Sequence, residues 1–337
     1  MKYIFLLSKE NIGLAKEEVL SLVCTSEYQL IDNLLIVNTN KKGLERRLAY
    51  TKCIYELLFE CKTNELIKNM EHYNWQSVYK GNFSIRVNFV SKKKKITQKS
   101  ANTESESKEG GPYSEAKLAG YIWKKVKKPK VNLTNAKTNI ELFFTKNKIF
   151  CGLLLHEIRK DFLERRSHLR PGFAPVSLNP RLARTLVNLS GVQKGETILD
   201  PFCGTGGILI ESGLMGIKGV GLDIDENMLE KAQKNLGYYK IKNIKLMNKD
   251  ATEIRRRYNY IVTDLPYGKN TKNTDLIQLY TSFLKNLKKI LIKRAVIVFP
   301  DFINYRRLIK DFRIEKEFSY YIHKSMTKKI IVLQGNQ

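Results

Sequence analysis

The chain has 337 residues, 42% of them hydrophobic, which is enough for two or three domains with a core in each. No apolar run approaches the roughly 20 residues that span a bilayer, and the start, MKYIFLLSKENIG, turns charged too soon for a signal peptide. A cytoplasmic protein with no membrane partner is therefore expected. Sixty Lys and Arg against 33 Asp and Glu leave a net charge of +27, which points to a polyanionic partner, because binding phosphates releases their counterions. Five scattered cysteines, none spaced C-x-x-C, and four distant histidines argue against a disulfide framework and against a metal site built by this chain alone.

Apolar spacing predicts a strand at 3–7, a helix at 12–23, an apolar run at 34–37, a second helix at 44–50 and a strand at 54–59. That pattern suits a small ferredoxin-like α+β unit over residues 1–60. A half-buried strand at 82–90 follows. Residues 91–112, rich in Ser, Lys, Glu and Gly, cannot bury enough surface to order themselves and read as a mobile loop. A helix at 113–126 runs into the basic cluster Lys124, Lys125, Lys127, Lys128 and Lys130, stopped by Pro129; strands at 139–144 and 149–155 come next. After a basic connector at 156–176, strands at 197–199, 219–222, 244–247, 260–263 and 295–299 alternate with helical stretches, which predicts βαβ units and a parallel sheet. Segments 317–323 and 329–333 read as a closing antiparallel hairpin.

TILDPFCGTGGILIE (197–211) is a strand, a glycine-rich turn and a helix start. Its glycines let a ligand approach the backbone, and Asp200 can accept from an ammonium or a water. The turn does not fit G-x-G-x-x-G, since Leu209 holds the last position. Asp223, at the end of the second strand, can take both hydroxyls of a ribose. Asp250 can bond an adenine amino group, with Ala251 beside the ring; Asp225 and Asp250 could equally be helix caps. In strand order these positions point to an adenosyl ligand.

The fourth strand ends in Asp264-Leu265-Pro266-Tyr267-Gly268. An amino group conjugated to a base ring is a poor nucleophile because its lone pair is delocalised. The Asp264 carboxylate and the Leu265 carbonyl can accept its two N–H bonds, localise the lone pair and stabilise positive charge as it develops. Pro266 would fix the turn and Tyr267 offer a face to an extruded base.

DPFCGTGG, GLDID, KDAT and DLPYG, in this order and spacing, resemble the amino-methylating branch of the Rossmann-like methyltransferases. RSHLRPGFAPVSLNPRLARTLVNLSG resembles that branch's additional cofactor motif, and the segment 130–157 is similar to the second half of a THUMP domain, an RNA-binding module. Together they cover nearly the whole chain and resemble the archaeal tRNA guanine-N2 dimethyltransferases acting at guanosine 10. The resemblance implies an α/β protein: a Rossmann-like class I methyltransferase domain at 177–337, mostly parallel with a C-terminal antiparallel hairpin. A ferredoxin-like α+β domain (1–60), a THUMP α/β domain (61–155) and a linker (156–176) would precede it. It implies S-adenosyl-L-methionine as cofactor, tRNA as partner, no DNA, no metal in the chain, and a small activating zinc-binding subunit as a further candidate partner.

Carried over by residue, the cofactor set is Phe173, Ser177, Asp200, Phe202, Gly204, Thr205, Gly206, Asp223, Ile224, Asp250, Ala251 and Asp264. The catalytic set is Asp264, Leu265, Pro266 and Tyr267. Phosphate-contact candidates are Lys92 and Lys93 in the 92–95 run, Lys124, Lys125, Lys127 and Lys128, and Arg165, Arg166 and Arg170. One departure is Leu265, where many relatives carry proline; the acceptor there is a backbone carbonyl, so the chemistry survives the change. Methylation of another tRNA or ribosomal RNA guanosine is the nearest alternative. A non-catalytic RNA-binding factor is another, against which the intact acidic and aromatic motif positions argue. A dehydrogenase would have no use for D-x-P-Y, and a DNA methyltransferase would want a target-recognition domain after it.

Overall fold

The computed structural model describes residues 1–90, 111, 113–158, 161–175, 178–267, 273–323 and 326–335. Most of the expected 91–112 loop, with Lys92 and Lys93, lies outside the described residues, as does Ser177. The chain folds as two compact units: the first holds 1–12, 26–45 and 51–158, the second 13–25, 46–50 and 159–337.

The front half of the chain runs β1 (Lys2–Leu7), α1 (Ile12–Val23), β2 (Tyr28–Ile31), β3 (Leu34–Asn38), β4 (Thr51–Cys61), α2 (Leu66–His72), β5 (Phe83–Phe89), α3 (Glu115–Trp123), β6 (Thr138–Phe144) and β7 (Ile149–Glu157). One seven-stranded sheet joins them in the order β2-β3-β1-β4-β7-β6-β5, antiparallel except for β5 beside β6. It runs across the boundary expected at residues 60 and 61, because β4 pairs with β1 on one side and β7 on the other. Trp75, Phe83, Leu118 and Ile140 centre its larger core, and the Trp75 indole N–H donates to the Met70 carbonyl at 2.7 Å.

The back half runs α4 (Pro180–Leu189), β8 (Thr197–Asp200), α5 (Gly207–Leu214), β9 (Lys218–Asp223), α6 (Glu226–Tyr238), β10 (Ile244–Asn248), β11 (Tyr258–Asp264), α7 (Asn273–Ile290), β12 (Leu291–Pro300), α8 (Tyr305–Leu308), β13 (Arg313–His323) and β14 (Met326–Gln334). Its sheet has the order β10-β9-β8-β11-β12-β14-β13. The first five are parallel, and β14 enters antiparallel between β12 and β13. Strand order therefore reverses between β8 and β11, where doubly wound sheets open a crevice at the strands' carboxyl ends. Gly221 brings α5 close to β9: a Cβ there would lie 2.4 Å from Leu209 Cδ1.

The helix expected at 44–50 is not formed; only Leu44–Arg46 makes a short 3₁₀ turn. The apolar residues that suggested it, Leu48, Ala49 and Tyr50, are buried within the second unit instead. Their backbone finds a competing acceptor: the fully buried Glu18 of α1 takes the N–H of Ala49 (3.0 Å) and of Tyr50 (2.8 Å). The same carboxylate accepts from Asn188 Nδ2 (2.8 Å) and Thr185 Oγ1 (3.2 Å) of α4. Burial pushes the Glu18 carboxyl up while these donors oppose the shift.

Candidate active site

At the crevice between β8 and β11 lies a cavity of about 440 Å³. Its floor is the glycine-rich turn after β8, where Gly204 (φ +50°) and Gly206 (φ +81°) adopt left-handed backbone. A Cβ on Gly204 would meet no atom within 4 Å, so the turn leaves open space against bare backbone. The Gly204 N–H donates to Asp223 Oδ2 at 2.8 Å, and the Asp225 N–H to Asp223 Oδ1 at 3.0 Å. Asp223 is thereby fixed, and each of its oxygens has more than one lone pair to offer. Buried Asn235 ties the turn from behind: its Nδ2 donates to the Thr205 carbonyl (2.9 Å) and the Gly172 carbonyl (3.0 Å), and its Oδ1 accepts from the Gly172 N–H (2.8 Å). This brings the segment carrying Phe173 beside the turn.

Phe202 stands edge-on to Phe283 at 5.0 Å on one wall, and Ile224 is exposed at the rim. Asp250 Oδ1 accepts the Thr252 N–H and hydroxyl, both at 2.7 Å, so the capping role is real. Asp250 and Ala251 line the cavity all the same. Asp225 likewise caps α6 through the Asn227 N–H at 2.9 Å. Asp200, 1% exposed, accepts from Thr263 Oγ1 at 2.9 Å across the switch between β8 and β11. Burial pushes its carboxyl up to about 8.

The turn after β11 forms the opposite wall. Leu265 is anchored twice, its N–H donating to the Val298 carbonyl (3.1 Å) and its side chain fully buried. The Tyr280 hydroxyl of α7 donates to the Pro266 carbonyl at 2.6 Å, which fixes the turn's direction. Asp264 Oδ2 accepts from Lys328 Nζ at 2.5 Å, and that ammonium sits 4.5 Å from the Tyr267 ring centroid. Asp264 Oδ1 is buried and has no hydrogen-bond partner among the described residues. Burial raises the Asp264 carboxyl and Lys328 opposes the rise.

The structure thus brings Asp200, Phe202, Gly204, Thr205, Asp223, Ile224, Asp250, Ala251, Asp264, Leu265, Pro266 and Tyr267 around one cavity. Two phosphate candidates fall elsewhere. Arg165 is 7% exposed and paired with Glu211 (2.7 Å) and Asp161 (2.8 Å); Arg170 is 3% exposed and donates to the Arg165 carbonyl. The Arg165 guanidinium belongs to the interior because the carboxylate of Glu211, fully buried on α5, needs cationic partners there, which Arg165 and Arg184 supply; Arg170 is buried beside them with both Nη atoms without a hydrogen-bond partner among the described residues. Arg166, Lys124, Lys125, Lys127 and Lys128 are exposed. Lys328, Tyr280, Asn235 and Thr263 were not foreseen. For Lys328 a signal existed: two residues before the buried Ile330, it shares that residue's face of the strand.

Five parallel strands, a glycine turn at the reversal point and a last strand inserted antiparallel define a Rossmann-like methyltransferase. Fold likeness to solved structures agrees: TrmN from Thermus thermophilus matches with a TM-score of 0.52 at 17% identity, covering 100% of both chains. A predicted N6-adenine-specific DNA methylase from Listeria monocytogenes matches at 0.50 and 14%, over 99% of this chain and 96% of that one. Residues 167–330 match the family model described as RMKL-like, methyltransferase domain, and a DNA methylase model matches residues 12–234. A tRNA (guanine(10)-N2)-dimethyltransferase of Methanothermobacter thermautotrophicus is 33% identical over 99% of both chains. One of Pyrococcus abyssi is 37% identical over 61% of this chain and 64% of that protein. The chain belongs to the tRNA (guanine(10)-N2)-dimethyltransferase family.

Proposed function

We propose that the chain binds S-adenosyl-L-methionine in the crevice over Gly204–Gly207 and methylates the exocyclic N2 of guanosine 10 in tRNA, first to N2-methyl- and then to N2,N2-dimethylguanosine. The observation that carries this reading is Asp264: a half-buried carboxylate at the cavity wall with one oxygen fixed by an ammonium and the other, buried, without a partner among the described residues. An acceptor in that state suits a donor that arrives with the substrate. When bound, the cofactor supplies an electrophilic methyl group on a sulfonium. The residues fit it: Asp223 for the ribose hydroxyls, Asp200 for the ammonium, Asp250 and Ala251 for the adenine. The cavity size suits one small ligand.

In this reading Asp264 Oδ1 accepts one N–H of the target amino group and stabilises the positive charge that develops on nitrogen, with the Leu265 carbonyl as second acceptor. Tyr267 stacks on the extruded base. The RNA grip falls to the first unit, whose residues 61–155 we read as THUMP-like, with Lys124, Lys125, Lys127 and Lys128 meeting phosphates. Full-length protein should convert guanosine 10 of a tRNA transcript into the mono- and dimethyl products, read by mass spectrometry of nucleosides. A transcript with inosine 10, which lacks the amino group, should take up no methyl, nor should duplex DNA. Methyl on the inosine transcript, or on another nucleotide, would overturn the assignment.

A further inference from the structure

β14 carries into the site a lysine that the chemistry above does not use. Lys328 is 3% exposed, on a strand whose next inward positions are Ile330 and Val332. A lysine in such surroundings is costly unless paired. Its partner is Asp264, and the pair sits against the Tyr267 ring. Lys328 and Tyr267 also line a second cavity of about 530 Å³, shared with Tyr320 and Met326 of the β13–β14 hairpin and with the exposed Arg166. The Lys328–Asp264 pair thus lies where the cofactor cavity meets a basic, aromatic one. Replacing a buried ion pair by apolar residues often leaves stability unchanged, so stability alone is a poor account of it.

We propose that Lys328 is a positioning residue for methyl transfer: its ammonium keeps Asp264 ionised and turned, with Oδ2 engaged, so that Oδ1 faces the target amino group. This rests on the reading of Asp264 given above. The other titratable groups around Asp264 do not substitute for Lys328. Asp200 of β8 and Asp223 of β9 are carboxyls that offer no positive charge, and the hydroxyls of Tyr267 and of Tyr280 on α7 are pushed up by burial and stay neutral. Among the described residues Lys328 is the cation paired with Asp264, while Lys249 lines the same cavity without pairing to it. Burial works against an ionised Asp264 and Lys328 works for it, so the base-accepting form is present above the Asp264 pKa and lost as pH falls through it.

The test is the pH profile of single-turnover methylation of tRNA by the full chain, with cofactor and tRNA saturating. In Lys328→Met the acid limb should move up by about 1–3 pH units, the size of effect an adjacent opposite charge has on a carboxylate. The neutral-pH rate should drop roughly tenfold or more, with tRNA affinity unchanged. Lys328→Arg should restore most of the rate and the original limb. In an Asp264→Asn background, Lys328→Met should cost little further, because the charge it serves is gone. Should Lys328→Met fail to fold, Lys328→Gln, which keeps a hydrogen bond and loses the charge, should show the same displaced limb. A folded Met or Gln variant with the wild-type limb and rate would overturn the proposal. Failure of the underlying reading looks different: the wild-type protein itself would leave guanosine 10 unmethylated.

Discussion

The two walls of the cavity between β8 and β11 are held by different means. At the glycine turn the fixing bonds are backbone N–H groups closing on Asp223, with Asn235 reaching backbone carbonyls from behind. At the Asp264 turn they are side chains from distant elements, Tyr280 of α7 on the Pro266 carbonyl and Lys328 of β14 on the carboxylate. Backbone donors preform a cradle suited to holding a ligand in one fixed pose. Side chains that set the ionisation and aim of one carboxylate suit a group needed only while charge develops. Binding and rate should therefore come apart under mutation.

The largest effect is expected at the Asp264 wall. Asp264→Ala should lower the single-turnover rate roughly 10²–10³-fold, while calorimetry finds cofactor affinity little changed, since the lost contact is stronger in the transition state than before it. Asp264→Asn keeps an acceptor for Lys328 and separates lost charge from lost packing. Near-normal turnover in both variants would erase the contrast between the walls. At the other wall, Asp223→Ala should cost about 2–3 kcal/mol of cofactor affinity by calorimetry, because a charged acceptor leaves a partly buried site. If the rate at saturating cofactor fell as far as in Asp264→Ala, the two walls would not be separable. The smallest effect belongs to Tyr280→Phe. Losing its bond to Pro266 should cost about 1 kcal/mol of stability in a denaturant titration and shift the rate only modestly. A loss of rate as deep as that of Asp264→Ala would make the tyrosine part of the chemistry instead of its support.

The backbone-held wall was legible in the sequence because its parts are close in the chain. DPFCGTGG, the aspartate ending β9 and the aspartate after β10 follow from strand–turn–helix spacing alone. DLPYG was legible too, but its supports were not. Lys328 looks like one of many lysines until pairing puts it opposite Pro300 of β12 and Tyr320 of β13. The burial of Arg165, named as a phosphate-contact candidate, was hidden for a related reason. Sequence shows a basic run, and only the fold shows Glu211 buried beside it. The missing helix at 44–50 has the same origin, a carboxylate remote in sequence that outcompetes the local helical acceptors for two N–H groups.

That carboxylate has a consequence for how the molecule is assembled. The chain enters its second unit three times, at 13–25, 46–50 and 159–337. The bond from Asn188 to Glu18 closes a loop of 170 residues, and the Arg47 guanidinium reaches both the Asn188 side chain (3.0 Å) and the Val192 carbonyl (3.1 Å). A fragment cut at residue 177 would keep the motifs from β8 onward yet leave Asn188 and Thr185 of α4 without Glu18. Contacts of such separation are formed late and slowly, since their loops must close before anything rewards them. In this protein the second unit is consequently no detachable cassette: its first segment is translated before most of the sheet of the other unit, and must wait for residues made after that sheet is complete.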